Sequence, residues 1–177
     1  MTAAVTRVGC LHSGMPMNRG AAVTTRFTLA TVDDAALVHR LMWEAFGEYD
    51  GVPEPPTGAL TESVADVAAA IAAGGAVLAW AGEVAVASAR FQPEADHLSI
   101  GRVSVPPAHR GNGYARAVMN YLEELGRALG LPEARVGVRR NLPDNIALYE
   151  RLGYRIVSEQ PHPRGPAYTS VTMTKRL

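Results

Sequence analysis

The sequence predicts an α+β fold, a mixed central sheet of about seven strands flanked by about four helices. Three observations predict it. Apolar residues switch between a period near two and a period near 3.6 in the order β-α-α-β-β-β-α-β-α-β-β. The three middle strands follow one another through short turns, which makes an antiparallel meander. The last of these three runs through a glycine turn into a long helix and another strand, which makes one parallel crossover.

Thr25 to Leu29 reads as the first short strand. Thr31 then offers an N-cap, with Asp33 and Asp34 in a first turn where the helix dipole favours acids. Leu37, Val38, Leu41, Met42, Ala45 and Phe46 follow at helical spacing. Pro53, Pro55 and Pro56 break the pattern, so Gly47 to Gly58 reads as a loop. A second helix is expected over Thr61 to Ala73, with Val64, Val67, Ala68 and Ile71 on one face and Gly74-Gly75 at its end.

Ala76 to Trp80 and Val84 to Phe91 read as strands joined by a hairpin turn at Ala81-Gly82-Glu83. Pro93 to Asp96 is the next turn, and His97 to Val105 a further strand. The helix Tyr114 to Leu129 carries Val118, Tyr121, Leu122, Leu125 and Leu129 on one side, and Gly130 and Pro132 close it. Ala134 to Arg139 is a strand and Asp144 to Leu152 a short helix ending at Gly153. Tyr154 to Ser158 and Tyr168 to Thr174 are the last two strands.

The composition suits one domain: 177 residues, 47% of them hydrophobic and 19% charged. Seventeen basic residues balance seventeen acidic ones, so there is no charge bias toward nucleic acid or an anionic membrane. No apolar run is long enough for a bilayer-spanning helix. A single cysteine, Cys10, excludes an internal disulfide framework and suits a reducing, cytoplasmic setting. Residues 1–24 hold Gly9, Gly14, Pro16 and Gly20 without a period and without a signal-peptide core. They read as a flexible leader to a domain over 25–177, with Met15 and Met17 as alternative starts. No His/Cys/Asp cluster has metal-ligand spacing, so no metal is expected.

The most informative stretch is Arg110-Gly111-Asn112-Gly113-Tyr114-Ala115, between the strand end Val103-Ser104-Val105 and the long helix. The first turn of a helix has N–H groups without intrahelical partners, and its dipole favours negative charge. A glycine turn there makes a phosphate site. It is not a Walker A loop, because no Lys-Ser/Thr follows the glycines. It is not a dinucleotide fingerprint either, because Arg116 stands at the third glycine position.

Arg110-x-x-Gly113-x-Ala115, preceded by Val105-Pro106-Pro107, resembles the pyrophosphate loop of the GNAT superfamily of acyl-CoA-dependent N-acyltransferases. Asn145-Ile146-Ala147-Leu148-Tyr149-Glu150-Arg151-Leu152-Gly153-Tyr154 resembles a second segment common in that superfamily, and the order of elements agrees. The resemblance covers roughly residues 25–177 and implies a GNAT fold.

That resemblance implies the following site. The amides of Arg110, Gly111, Asn112, Gly113, Tyr114 and Ala115 bind the pyrophosphate of acetyl-CoA, with Arg110 as an added charge. Read alone, the same residues are an ordinary strand–helix turn. The backbone of Val103, Ser104 and Val105 pairs with the pantetheine arm, and the amide near Val105 polarises the thioester carbonyl. Tyr149 is the candidate general acid for the departing thiolate, against a packing tyrosine. Asn145 is a candidate pantetheine ligand, against a helix N-terminal residue.

A general base is harder to assign. The strand before the loop offers His97, Ser99 and Gly101 where many relatives place a glutamate. His97 has a suitable ordinary pKa, with His162 second and His109 expected in solvent. Glu48, Tyr49, Asp50 and Glu54 would suit a cationic acceptor on the loop between the first two helices. Arg139, Arg140, Arg151 and Arg155 could flank the 3′-phosphate. The expected activity is acetyl transfer from acetyl-CoA to a primary amine of a small molecule or peptide. The alternative is a CoA-binding sensor that has lost catalysis. The resemblance is compatible with a homodimer.

Overall fold

A computed structural model describes residues 24–49, 57–162 and 165–177, without the side chains of 49, 162 and 165–167. The leader with Cys10, the acceptor-loop residues Asp50 to Glu54 and the side chain of His162 lie outside the described residues.

The elements follow the expected order: β1 (Thr25–Leu29), α1 (Ala35–Phe46), α2 (Val64–Ala73), β2 (Gly75–Ala81), β3 (Val84–Pro93), β4 (Leu98–Ser104), α3 (Tyr114–Ala128), β5 (Glu133–Arg139), α4 (Pro143–Arg151), β6 (Arg155–His162) and β7 (Gly165–Arg176). One seven-stranded sheet forms in the order β1-β2-β3-β4-β5-β7-β6. Every pair is antiparallel except β4–β5, the single crossover, which is closed by α3.

Helices cover both faces. On one face Val38, Leu41 and Met42 of α1 and Val67 and Ile71 of α2 pack on Ala76, Leu78 and Ala85. On the other, Val118, Met119 and Leu122 of α3 and Ile146 of α4 pack on Val77, Ala79, Ala87, Leu98, Ile100 and Val136. The alternation of β2 between the two clusters is the period-two pattern made physical: successive side chains leave opposite faces. Phe27 of β1 stacks on Tyr121 of α3 with ring centroids 4.9 Å apart.

Several boundaries differ from the sequence reading. A 3-10 turn, Val32–Asp34, precedes α1, and the Asp34 carboxylate accepts from both the amide and the hydroxyl of Thr31. The second helix starts at Val64 and not at Thr61. Ser63 and Asp66 form a reciprocal cap there, the Asp66 amide donating to Ser63 Oγ at 3.2 Å and the Ser63 amide to Asp66 Oδ2 at 2.8 Å. Val64 is consequently in the first turn and exposed. Leu129 also turns outward, because α3 has ended at Ala128. The last two strands are longer than expected and form one hairpin. β6 runs through Pro161 to His162 at the sheet edge, where proline is tolerated.

Candidate active site

The β3–β4 register holds the first piece of the site. Ser88 pairs with Ser104 and Arg90 with Gly101, so Arg102 and Val103 together oppose Ala89. This is a β-bulge, and Arg102 sits in it at φ 51°, the one described non-glycine residue with positive φ. The bulge resets the alternation. Leu98 and Ile100 point into the α3-side cluster before it, and Val103 and Val105 pack on that cluster after it.

The bulge also ends the parallel pairing. β4 meets β5 at Leu98–Ala134, Ser99–Arg135 and Ile100–Val136, and no further. β5 continues to Arg139 on the far side, paired with β7. From Gly101 to Ser104 the β5-facing edge of β4 therefore lacks a neighbouring strand among the described residues, and a wedge opens between the two strands. Such an edge can take an extended ligand by main-chain hydrogen bonds. Val103, Ser104 and Val105 all belong to this edge or its end.

The glycine turn lies at the mouth of the wedge. A short 3-10 turn, Pro107–His109, leads from Val105 into it. Gly111 has φ 78° and Gly113 φ 79°, the left-handed region that glycine enters without steric cost. A Cβ on either would meet nothing within 4 Å, so the face of the turn is open. Gly113 caps α3, and the Ala117 amide bonds its carbonyl. Among the described residues, none of the amides from Gly111 to Arg116 donates to a backbone carbonyl outside α3. Asn112, Tyr114 and Ala115 thus stand at a helix N-terminus with donors directed outward.

Two side chains hold the turn. Asn112 Nδ2 donates to the carbonyls of His109 and Arg110, each at 3.1 Å. Arg110 bridges to α1: Nε donates to Val105 O at 3.2 Å, Nη1 to Glu48 Oε2 at 2.8 Å and Nη2 to Ala45 O at 3.1 Å. The sequence suggested Arg110 as an added charge for phosphate. In the structure its guanidinium ties the loop to the end of β4 and the end of α1. Glu48, expected on the acceptor loop, is the carboxylate of that tie.

Tyr149 lies on α4, just after β5. It packs on the α3-side cluster, and its ring meets Tyr154 edge-on at 5.8 Å and 69°. Burial pushes its phenol up to about 12, so it carries its proton at neutral pH. The unfolded chain would ionise a tyrosine near 10. A raised folded value leaves stability intact below the unfolded pKa and removes it as pH climbs to the folded one. Urea midpoints are therefore expected to hold up to about pH 10 and to fall from there to about 12. Tyr149→Phe should remove the Tyr149 share of that decline and leave the share of Tyr154, whose phenol burial also raises.

Asn145 stands in the first turn of α4, half-buried, its amide donating to Leu142 O. His97 is at the opposite end of β4 from Val105, roughly 25 Å away at strand rise. Its Nδ1 faces Asp96 Oδ1 at 2.7 Å. It flanks the paired end of β4, before the unpaired edge that begins at Gly101, and its ring is engaged with Asp96, which argues against it as the base. His109 is partly exposed beside the turn. Arg140 faces Glu159 at 3.7 Å, and Arg151 and Arg155 are exposed.

One group was missed entirely. Glu62, just before α2, meets two arginines: Arg90 Nη2 at 3.1 Å from Oε1, and Arg102 Nε at 3.0 Å from the same oxygen. Glu62 Oε2 also lies 2.8 Å from Arg90 Nη2, off the line of its N–H bonds. No periodicity or motif marks this carboxylate, because its partners are 28 and 40 residues away. Among the described residues no group of three or more metal-ligating side chains gathers, and no helix is long and apolar enough to cross a membrane.

The model of the acetyltransferase (GNAT) family matches residues 36–154, from α1 to Tyr154. No curated protein matches the chain. Solved structures do. The IAA acetyltransferase from Bacillus cereus is 16% identical with a TM-score of 0.64, over 86% of this chain and 99% of that one. The yncA protein from Salmonella typhimurium, solved with acetyl-CoA, is 17% identical with a TM-score of 0.67, over 86% and 93%. The paia N-acetyltransferase from Thermoplasma acidophilum, in complex with coenzyme A, is 13% identical with a TM-score of 0.70, over 86% and 99%. At these identities the structures speak to the fold.

Proposed function

The chain belongs to the acetyltransferase (GNAT) family, and we propose that it moves the acetyl group of acetyl-CoA directly to a primary amine. The observation that carries this reading is the wedge between β4 and β5, which opens beside a left-handed glycine turn at a helix N-terminus. That pairing suits a ligand with an extended amide arm and a pyrophosphate at its end. Relatives of the same fold are solved with acetyl-CoA or CoA.

In this reading the amides of Gly111 to Ala115 hold the pyrophosphate as hydrogen-bond donors. The unpaired edge at Val103, Ser104 and Val105 holds the pantetheine arm, with Asn145 alongside. An amide at the end of this edge faces the thioester oxygen and stabilises the charge that develops there. The amine nitrogen attacks the carbonyl carbon, a C–N bond forms, and the C–S bond breaks. The sulfur leaves as thiolate and takes the Tyr149 proton; the nitrogen loses a proton to water, and a proton from solvent restores the Tyr149 phenol. No enzyme side chain is acylated.

Thiol release from acetyl-CoA across a panel of amines tests the activity. Tyr149→Phe is expected to lower kcat about 100-fold while CoA affinity by calorimetry stays within about threefold. Unchanged turnover at saturating substrate would remove the acid role. A second reading, a CoA-binding sensor without catalysis, has one observation in its favour. β4, the strand before the glycine turn, carries no carboxylate, and the Glu62 carboxylate is engaged by two guanidinium groups. Acetyl-CoA binding without amine-dependent thiol release would select it.

A further inference from the structure

The cluster of Glu62, Arg90 and Arg102 plays no part in the chemistry above. It joins the segment before α2 to the middle of β3 and to the bulge of β4. Two guanidiniums face one carboxylate, which leaves one positive charge. The side chains are 17% exposed for Glu62 and Arg90 and 30% for Arg102. Arg90 presents Nη2 to Glu62, and Arg102 presents Nε and Nη2. The remaining donors, Nε and Nη1 of Arg90 and Nη1 of Arg102, have no partner among the described residues.

The position of Arg102 is the second observation. A non-glycine residue at φ 51° is held at a cost of roughly 1–3 kcal/mol, and such residues gather where a side chain must be aimed. Gly101, next to it, could take that conformation without strain, yet the strain falls on an arginine. The bulge turns Arg102 toward Glu62, on the face of the sheet covered by α1 and α2. Val103, which begins the unpaired edge, follows it directly and points to the α3 face. The cluster thus borders the wedge on the face away from the helix whose N-terminus forms the glycine turn. His39 Nε2 donates to the Glu62 carbonyl at 2.9 Å and fixes this segment on α1.

The geometry points to a subsite for a carboxylate on the acceptor, close to its amine, with Arg102 and Arg90 as the residues that determine specificity. It rests on the acetyl-transfer reading and names the acceptor class within it: a small amine that carries a carboxylate, such as an amino acid. A planar guanidinium fork matches a planar carboxylate. Glu62 holds the two forks in place and cancels one of their charges, so one monoanion neutralises the site.

The test uses the full chain, saturating acetyl-CoA, and amino acids paired with their α-carboxamides, which keep shape and lose charge. For the amino acids it accepts, kcat/KM is expected to exceed that of the amide roughly 10- to 100-fold, mostly through KM. Arg102→Gln and, separately, Arg90→Gln should bring that ratio close to one, and Arg102→Lys should restore part of it. A ratio near one in the natural protein, a ratio unmoved in both glutamine variants, or thiol release only with amines lacking a carboxylate would each overturn the subsite. CoA binding by calorimetry on the same protein separates the two readings. If CoA binds and no acid is preferred, the subsite alone fails; if CoA does not bind, the acyl-transfer reading fails with it.

Discussion

Gly113→Trp is expected to weaken CoA binding by at least about 100-fold while the protein stays folded. Gly113 is at φ 79°, where an L-residue pays roughly 1–2 kcal/mol. That lowers the melting temperature by a few degrees in a chain of this size. A Cβ there meets no protein atom within 4 Å, so the indole has room. Its space is the open face of the turn, which in the proposed function belongs to the pyrophosphate. Gly130 is the control. It has φ 75° and the same open surroundings, but it follows the C-terminal end of α3, away from the turn. Gly130→Trp should show a similar melting shift and bind CoA normally. Calorimetry with CoA reads both, and tight binding by the Gly113 variant would remove the phosphate loop from the mechanism.

The second large effect is on stability. Glu123 of α3 is buried beneath the sheet, and its Oε2 lies 2.6 Å from Lys175 Nζ of β7. The Lys175 ammonium also faces the Tyr154 ring at 5.8 Å, and the Tyr154 hydroxyl is buried near the Glu123 carboxylate. Burial first, and the charge of Glu123 second, hold that phenol protonated far above the ordinary range. Lys175→Met removes the cation and leaves a buried carboxylate unpaired, which costs about 3–5 kcal/mol. Urea unfolding should show this. The double variant Glu123→Gln, Lys175→Met should recover most of the loss, because a neutral amide no longer needs a counter-charge. A double variant as unstable as the single one would place the cost in packing.

Much of the fold was legible because its signals are local. Thr31 and Gly74 announced a helix start and a helix end, and period-two alternation marked β2 to β4. Errors arose where a local signal had competitors. Thr61 and Ser63 are both cap residues, and the Asp66 carboxylate three positions on selected Ser63.

The site divides in the same way. Gly111, Gly113 and Tyr149 were proposed from neighbours in sequence: a turn before a helix, and a tyrosine in a recurring segment. Arg110 was suggested as an added charge, and only the packing of α1 beside β4 shows its guanidinium bonded to Glu48 and the Ala45 carbonyl. His97 was a reasonable base by its ordinary pKa until the structure placed it at the paired end of β4, engaged with Asp96.

The sequence by itself determined the order of the elements, the glycine turn and the family, because each depends on residues a few positions apart. The tertiary structure alone decided that β4 parts from β5 after Ile100. It alone decided that Arg102 is strained in a bulge, and that Glu62 meets Arg90 and Arg102 across 28 and 40 residues. The physical reason is that register and charge pairing depend on which strands and helices pack together, and a single chain read in order does not contain that distance.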